Sequence, residues 1–126
     1  MGTSYKGGSK IYRSIGQNIM VTRQSYSYSN GRFGVSSPST GNKTRNIVSA
    51  DNLSTATDFY NKIAFGGIER SYEKGNRKIT QMNDGSIIAW RMISSSDKTP
   101  VVEINISSST HTAGIKQQKI HFIKEK

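Results

Sequence analysis

The sequence contains no cysteine. Without thiols, neither a disulfide framework nor a thiolate zinc site can form. Two histidines beside that absence argue against a structural metal site. Acidic residues are missing from the first fifty positions, which hold seven Lys/Arg and no Asp or Glu; the first acid is Asp51. Apolar residues are also scarce, at 33% of the chain. No apolar run reaches the length of a membrane span, and no secretory signal pattern is present. At 126 residues the chain is expected to form one domain, spanning 1–126, with a single modest core.

The charge is strongly one-sided. Net charge is +10, and residues 51–126 balance eleven Lys/Arg against eight acids, so the excess lies in the loop-rich residues 1–50. A basic surface of this kind attracts polyanions through phosphate contacts and counterion release. It also serves as a solvated, solubility-promoting surface, and it draws an acidic protein partner by the same field.

The most legible stretch is Arg77 to Lys126, which reads as four short strands joined by polar turns. Asn83-Asp84-Gly85 is a hairpin signal between alternating segments. Pro100 opens the strand Val101 to Ile106, and Gln118 to Ile123 forms the last strand. Alternation sorts the side chains onto two faces. Ile79, Ile88, Trp90, Met92, Val102, Ile104, Ile106, Ile120 and Phe122 form a core face. Lys78, Thr80, Arg91, Glu103, Asn105, Lys119 and His121 form the opposite, polar face. The hairpin is expected to pair Lys78 with Arg91 and Ile79 with Trp90.

The N-terminal half carries weaker signals. Ile11, Ile15 and Ile19 at spacing four predict a short amphipathic helix within Lys10–Val21, weakened by Gly16. Thr22 to Ser29 alternates polar and aromatic residues as a strand does. Asn30-Gly31 marks a turn after which Arg32 to Val35 pairs back. Ser36 to Arg45 has no apolar residue and reads as a long loop, either an ordered nucleic-acid-binding loop or one disordered in the free protein. A second helix follows, capped from Ser49, Asp51 or Asn52, with Leu53, Ala56, Tyr60, Ile63 and Ala64 on one stripe and Phe59 at its edge. Gly66-Gly67 ends it, and Ile68 to Tyr72 is either a short strand or a loop. The expected fold is α+β: N-terminal helical segments on one face of a twisted antiparallel sheet of about four strands, with the open polar face carrying the site.

That face holds the chemistry a metal-free ribonuclease needs. RNA supplies its own nucleophile, the ribose 2′-hydroxyl. Cleavage then requires a base, an acid for the leaving oxygen, and cations near the phosphate. His121 can exchange a proton near neutral pH. Arg91 and Lys119 can stabilise phosphate charge. Glu103 is either a base, an orienter of His121, or simply the partner of Arg91 in a cross-strand ion pair. His111 reads as a loop residue, or as a second acid or base delivered by its hydroxyl-rich loop. Lys78, Lys116, Asn105, Ser95, Thr99 and Thr112 complete the candidate substrate contacts; the serines and threonines are also ordinary turn residues. No cofactor or metal is called for. A non-catalytic RNA-binding module and a β-rich structural or adhesive fragment are the competing readings.

Several stretches together resemble the C-terminal nuclease domains of bacterial polymorphic toxins, including contact-dependent growth-inhibition toxins. They are Asp84-Gly85-Ser86, Trp90-Arg91, Ser94-Ser95-Ser96, Pro100 to Asn105 and Lys119-Ile120-His121-Phe122, and the likeness covers roughly 53–123. Such domains are similar to the barnase–EndoU–colicin–RelE fold, which places helices against an antiparallel sheet and cleaves RNA on the open face. The resemblance matches Glu103, Arg91 and His121 to a barnase-like set by type, although Arg91 comes first in the chain order. It implies a metal-independent endoribonuclease, acting on tRNA. The domain is then delivered within a larger secreted or cell-surface protein and works, as a monomer, in the cytoplasm of a target cell. A cognate acidic immunity protein neutralises it.

Overall fold

The computed structural model describes residues 14–37, 41–93, 98–107 and 112–126. Helix α1 spans Ile15–Thr22 and helix α2 spans Asn52–Ile63. The strands, in chain order, are β1 (Tyr28–Ser29), β2 (Arg32–Phe33), β3 (Val35–Ser37), β4 (Gly41–Ser49), β5 (Ile68–Tyr72), β6 (Arg77–Gln81), β7 (Ile87–Arg91), β8 (Val101–Asn105) and β9 (Gln117–Lys124). Strands β1 and β2 form a separate hairpin, while the other seven make one sheet in the order β3-β4-β9-β8-β7-β6-β5. Neighbours in that sheet are antiparallel except β4 and β9, which run parallel. Among the described residues, no helix is long and apolar enough to cross a membrane.

Local sequence explains the helix ends. Ser14 caps α1 in a capping box with Gln17, each side chain bonding the other's backbone. This start is later than the periodicity indicated, and Ile11 lies outside the described residues. Asp51 caps α2 through the Ser54 amide. Helix α2 packs on the sheet's core face and α1 packs against α2, so that Ile15, Ile19, Ala56, Phe59, Tyr60 and Ile63 join Ile88, Trp90, Val102, Ile104, Ile120 and Phe122 in one core. Phe59 is fully buried rather than marginal, with its ring 5.0 Å from that of Phe33 and 5.5 Å from that of Phe122. Leu53, expected on the stripe, is exposed.

Three expectations for the N-terminal half change. Thr22 ends α1, so the strand expected over 22–29 shrinks to β1. Its turn forms as expected: Asn30 and Gly31 both have positive φ, 53° and 81°, and Tyr28 pairs with Phe33. The stretch read as a long loop instead supplies β3 and most of β4. It lacks apolar residues because a strand held between two neighbours needs backbone partners more than side-chain burial. Backbone pairing of Thr44 to Ser49 with Lys119 to Lys124 supplies that stability. The sheet therefore has seven strands rather than about four.

The correction that matters most for function concerns the β6–β7 hairpin. A two-residue Asp84-Gly85 turn pairs Lys78 with Arg91. Here the loop is three residues, Asn83-Asp84-Gly85, closed by the Met82 amide on the Ser86 carbonyl (2.7 Å) and the Gly85 amide on the Met82 carbonyl (3.0 Å). Of the last two, Gly85 alone has positive φ (93°), while the Asp84 carboxylate accepts from the Ser86 amide. The extra residue shifts the register by one and reverses every β6 side chain. Lys78 thus pairs with Trp90, Ile79 with Ala89 and Thr80 with Ile88. Thr80 and Met82 go into the core at 2% and 3% exposure, and the Thr80 hydroxyl bonds that of Tyr60. Lys78 lies on the core face with its ammonium 5.4 Å from the Trp90 ring centre, and Ile79 turns to the polar face.

Two buried amides join the layers. Asn18 on α1 donates to the carbonyls of Ile63 (2.9 Å) and Phe65 (2.8 Å), capping the end of α2. Gln118 on β9, 2% exposed, accepts from the Phe33 amide (2.9 Å) and donates to the Gly31 carbonyl (2.8 Å). Truncating Gln118 leaves both backbone groups without a partner in a dry site. Gln118→Ala is expected to cost about 2–4 kcal/mol in chemical denaturation, with loss of the β1–β2 hairpin's amide protection in hydrogen exchange.

The surface of α2 supplies a pH-dependent contact. Hydrogen bonds from Lys62 (2.6 Å) and Tyr26 hold the Asp58 carboxyl below the usual carboxylate range. A depressed folded-state value gives stability that is present above the ordinary carboxylate pKa and lost as pH falls through the depressed one. Asp58 is solvent-exposed, so screening keeps the effect small. The expected result is a Tm advantage of wild type over Asp58→Asn at neutral pH that fades as pH falls below the ordinary carboxylate range.

Candidate functional site

Cross-strand pairing lays the open face out in rows, because residues directly opposite in a sheet share a face. One row runs Tyr72, Arg77, Arg91, Val101, His121, Asn46, Val35. The adjacent row runs Arg70, Ile79, Ala89, Glu103, Lys119, Thr44. The next runs Ile68, Gln81, Ile87, Asn105, Gln117. Arg91, Glu103, Asn105, Lys119 and His121 therefore share one face. Lys78 does not join them, because the hairpin register places it on the other side.

The geometry within that group differs from the simplest expectation. Glu103 stands directly opposite Ala89 and Lys119, not Arg91. It is diagonal to both Arg91 and His121, at about 7–8 Å between backbones. Among the described residues, no ion pair joins Glu103 to Arg91 or Lys119. Arg91 and His121 are two strands apart, with Val101 between them, at roughly 10 Å.

His121 lies on the expected face but is not open to solvent, being 5% exposed. Thr99 and Pro100, just before β8, lie against it. The Thr99 hydroxyl stands 3.0 Å from Nδ1, and the Phe122 amide donates to the Pro100 carbonyl at 2.9 Å, holding that segment to β9. Thr99, expected as a substrate contact, thus contacts the histidine itself. A hydroxyl on one ring nitrogen fixes the orientation of the imidazole.

Thr112 has a different role. It is buried, its hydroxyl donates to the Ile115 carbonyl, and its own carbonyl lies where a Cβ on Gly31 would stand 2.1 Å away. It shapes the turn before β9 and props the β1–β2 hairpin instead of facing substrate. Lys116 is exposed in the same turn, its carbonyl accepting from the Ile106 amide. Ser95 and His111 lie outside the described residues.

Three residues of the face escaped the sequence reading: Tyr72, Arg77 and Arg70. The alternation Arg70–Tyr72 was visible, but its meaning depended on β5 being a strand and on the length of the β6–β7 loop. With them included, the paired residues of the face carry Arg70, Arg77, Arg91 and Lys119 against one carboxylate, Glu103, among the described strand residues. Other cations have structural work. Arg45 donates to the carbonyls of Phe33 (3.1 Å) and Gly34 (2.8 Å), and Arg23 lies over the Tyr28 ring.

A cavity of about 540 Å³ opens at the β3–β4 edge, lined by Ser25–Ser27, Val35, Asn46 and Thr55 among others. It contains none of the candidate residues. Its one titratable group is Tyr26, which burial and the Asp58 carboxylate hold protonated. It therefore offers no acid–base chemistry. Among the described residues, no three of His, Asp and Glu cluster closely enough to hold a metal ion.

The asymmetry of charge across the sheet predicts a measurable difference. Arg91→Ala and Lys119→Ala are expected to elute from immobilised heparin at clearly lower salt than wild type. Lys78→Ala, whose ammonium lies against Trp90, is expected to shift elution less. No family model matches this chain, and no curated protein or solved structure matches it.

Proposed function

We propose that the open face of the sheet binds RNA and cleaves it without a metal, as an endoribonuclease. The observation that carries this reading is the shared face of Arg91, Glu103, Lys119 and His121, with the cationic excess around them. Arg91 and Lys119 neutralise the scissile phosphate and the charge that grows on it. His121, oriented by Thr99, is the principal acid–base group and, in its protonated form, gives a proton to the leaving 5′-oxygen. Glu103, diagonal to both Arg91 and His121, takes the 2′-hydroxyl proton as the base; after cleavage the proton on Glu103 and the one lost by His121 are restored by exchange with water. The nucleophile belongs to the substrate, so the protein has to supply proton transfer and charge stabilisation alone. On this reading tRNA is the substrate, and an acidic immunity protein covers the same basic face.

The alternative is a basic RNA-binding module without catalysis. The burial of His121 favours it, since a group 5% exposed reaches substrate only if the Thr99–Pro100 segment moves aside.

Incubating the protein with total RNA and EDTA distinguishes the two. The ribonuclease reading expects discrete new ends with 2′,3′-cyclic phosphate termini, and a loss on the order of 10²–10⁴-fold in rate for His121→Ala. Retention without cleavage selects the binding module. Cleavage that vanishes in EDTA and returns with magnesium rejects the metal-free mechanism.

A further inference from the structure

Two residues beyond the proposed cleavage group stand in direct cross-strand register with Arg91 at the β5 edge: Tyr72 lies opposite Arg77, and Arg77 opposite Arg91. Two guanidinium groups directly opposite each other on one sheet face repel, and a sheet ordinarily avoids such a pair. Among the described residues, Arg91 has no carboxylate ion pair, and Arg77 has only Glu73 at 3.9 Å, on a side chain 59% exposed. That separation is too long for a hydrogen bond, so the pair is left largely uncompensated. An anion lying between the two guanidiniums converts the repulsion into two charge-assisted contacts.

The aromatic partner is placed beside it. Tyr72 is 42% exposed, and the Arg77 guanidinium lies 5.8 Å from its ring centre. All five residues of β5 are exposed, so the strand overhangs the body of the protein. The turn that carries it, Glu73–Gly75, has positive φ at three successive residues: 53°, 57° and 90°. Two of these are not glycine, a conformation that costs free energy and persists only where the surroundings impose it. The Asn76 carbonyl, accepting from the Met92 amide at 2.9 Å, ties the turn to the end of β7 just past Arg91. The strained turn thereby brings an exposed ring and a second arginine alongside the first.

We infer that Tyr72, Arg77 and Arg91 form a nucleotide subsite for single-stranded RNA, in which the arginine pair clamps one phosphate and the Tyr72 ring stacks the adjoining base. The inference rests on the RNA reading of the open face and deepens it. The strand approaches along the row from β5 toward His121, so the stacked nucleotide lies to one side of the bond cleaved. An unpaired base is required, because a base within a duplex has no free face for the ring. The subsite tolerates any base and prefers a loop or a free end.

The test uses the full chain and a short 2′-O-methyl oligoribonucleotide containing 2-aminopurine, which binds but lacks the nucleophile for cleavage. Stacking on Tyr72 is expected to change the 2-aminopurine emission on binding. Tyr72→Ala is expected to abolish that change and weaken binding about 5–150-fold, while Tyr72→Phe retains both. Arg77→Ala is expected to reduce the slope of log affinity against log salt by about 0.7, the share of one phosphate contact on a single strand. Arg77→Lys is expected to keep the slope. A duplex of the same sequence is expected to bind more weakly than the single strand. If wild type binds the oligonucleotide and Tyr72→Ala and Arg77→Ala, both folded by circular dichroism, bind it equally well, the subsite is wrong and the RNA reading stands. If wild type binds no RNA at low salt, both fall.

Discussion

Strand β9 is hydrogen-bonded on both edges, parallel to β4 and antiparallel to β8, and the rest of the molecule depends on that double pairing. The two flanking strands come from opposite ends of the chain. Side chains alternate, so burying Gln118, Ile120 and Phe122 against the helices obliges Lys119 and His121 to face the other way. Phe122 and Ile120 are the apolar anchors, and Gln118 joins the same strand to the β1–β2 hairpin through two backbone hydrogen bonds. A change that loosens β9 therefore disturbs the core, the N-terminal half and the candidate site together. The position of His121 follows from the burial of its neighbours.

The sheet also divides the positive charge by use. On the core side, Lys78 rests on Trp90, and Arg45 satisfies the carbonyls of the β2–β3 turn. Burial and the nearby Arg32 lower the Arg45 pKa from its ordinary value, the cost of placing a cation there. On the open side, Arg70, Arg77, Arg91 and Lys119 accompany one carboxylate, Glu103, among the described strand residues. A net charge of +10 says that anions are attracted; the sheet decides which cations can meet them. The directly opposed Arg77 and Arg91 are the clearest instance, since their juxtaposition costs energy in the free protein and favours an anionic ligand.

The histidine poses the sharpest physical question about function. Rigid placement favours an acid–base catalyst, and β9 together with Thr99 provides it. Near-complete burial opposes access by a polyanion. Thr99 and Pro100 lie against the histidine, attached by the Pro100 carbonyl to the Phe122 amide. Any acid–base role for His121 therefore requires that segment to move aside.

The α+β class, the α2 helix with a cap among Ser49, Asp51 and Asn52, the Asn30-Gly31 turn, and the faces of β7, β8 and β9 are legible in the sequence alone. Those features are encoded locally: in capping chemistry, in glycine at positive φ, and in a period-two pattern whose apolar and polar members are sharply different. Tertiary structure decided the rest. Strand β4 has a sequence that reads as loop, and it becomes a strand because β9 offers it backbone partners. The face of β6 turned on whether the Asn83-Asp84-Gly85 loop closes over two residues or three. Local sequence permits both, and the longer loop places Thr80 beneath Tyr60 and Met82 in the core. That single residue of register sent Lys78 inward and brought Arg77 beside Arg91, because a strand has only two faces and an odd shift exchanges them.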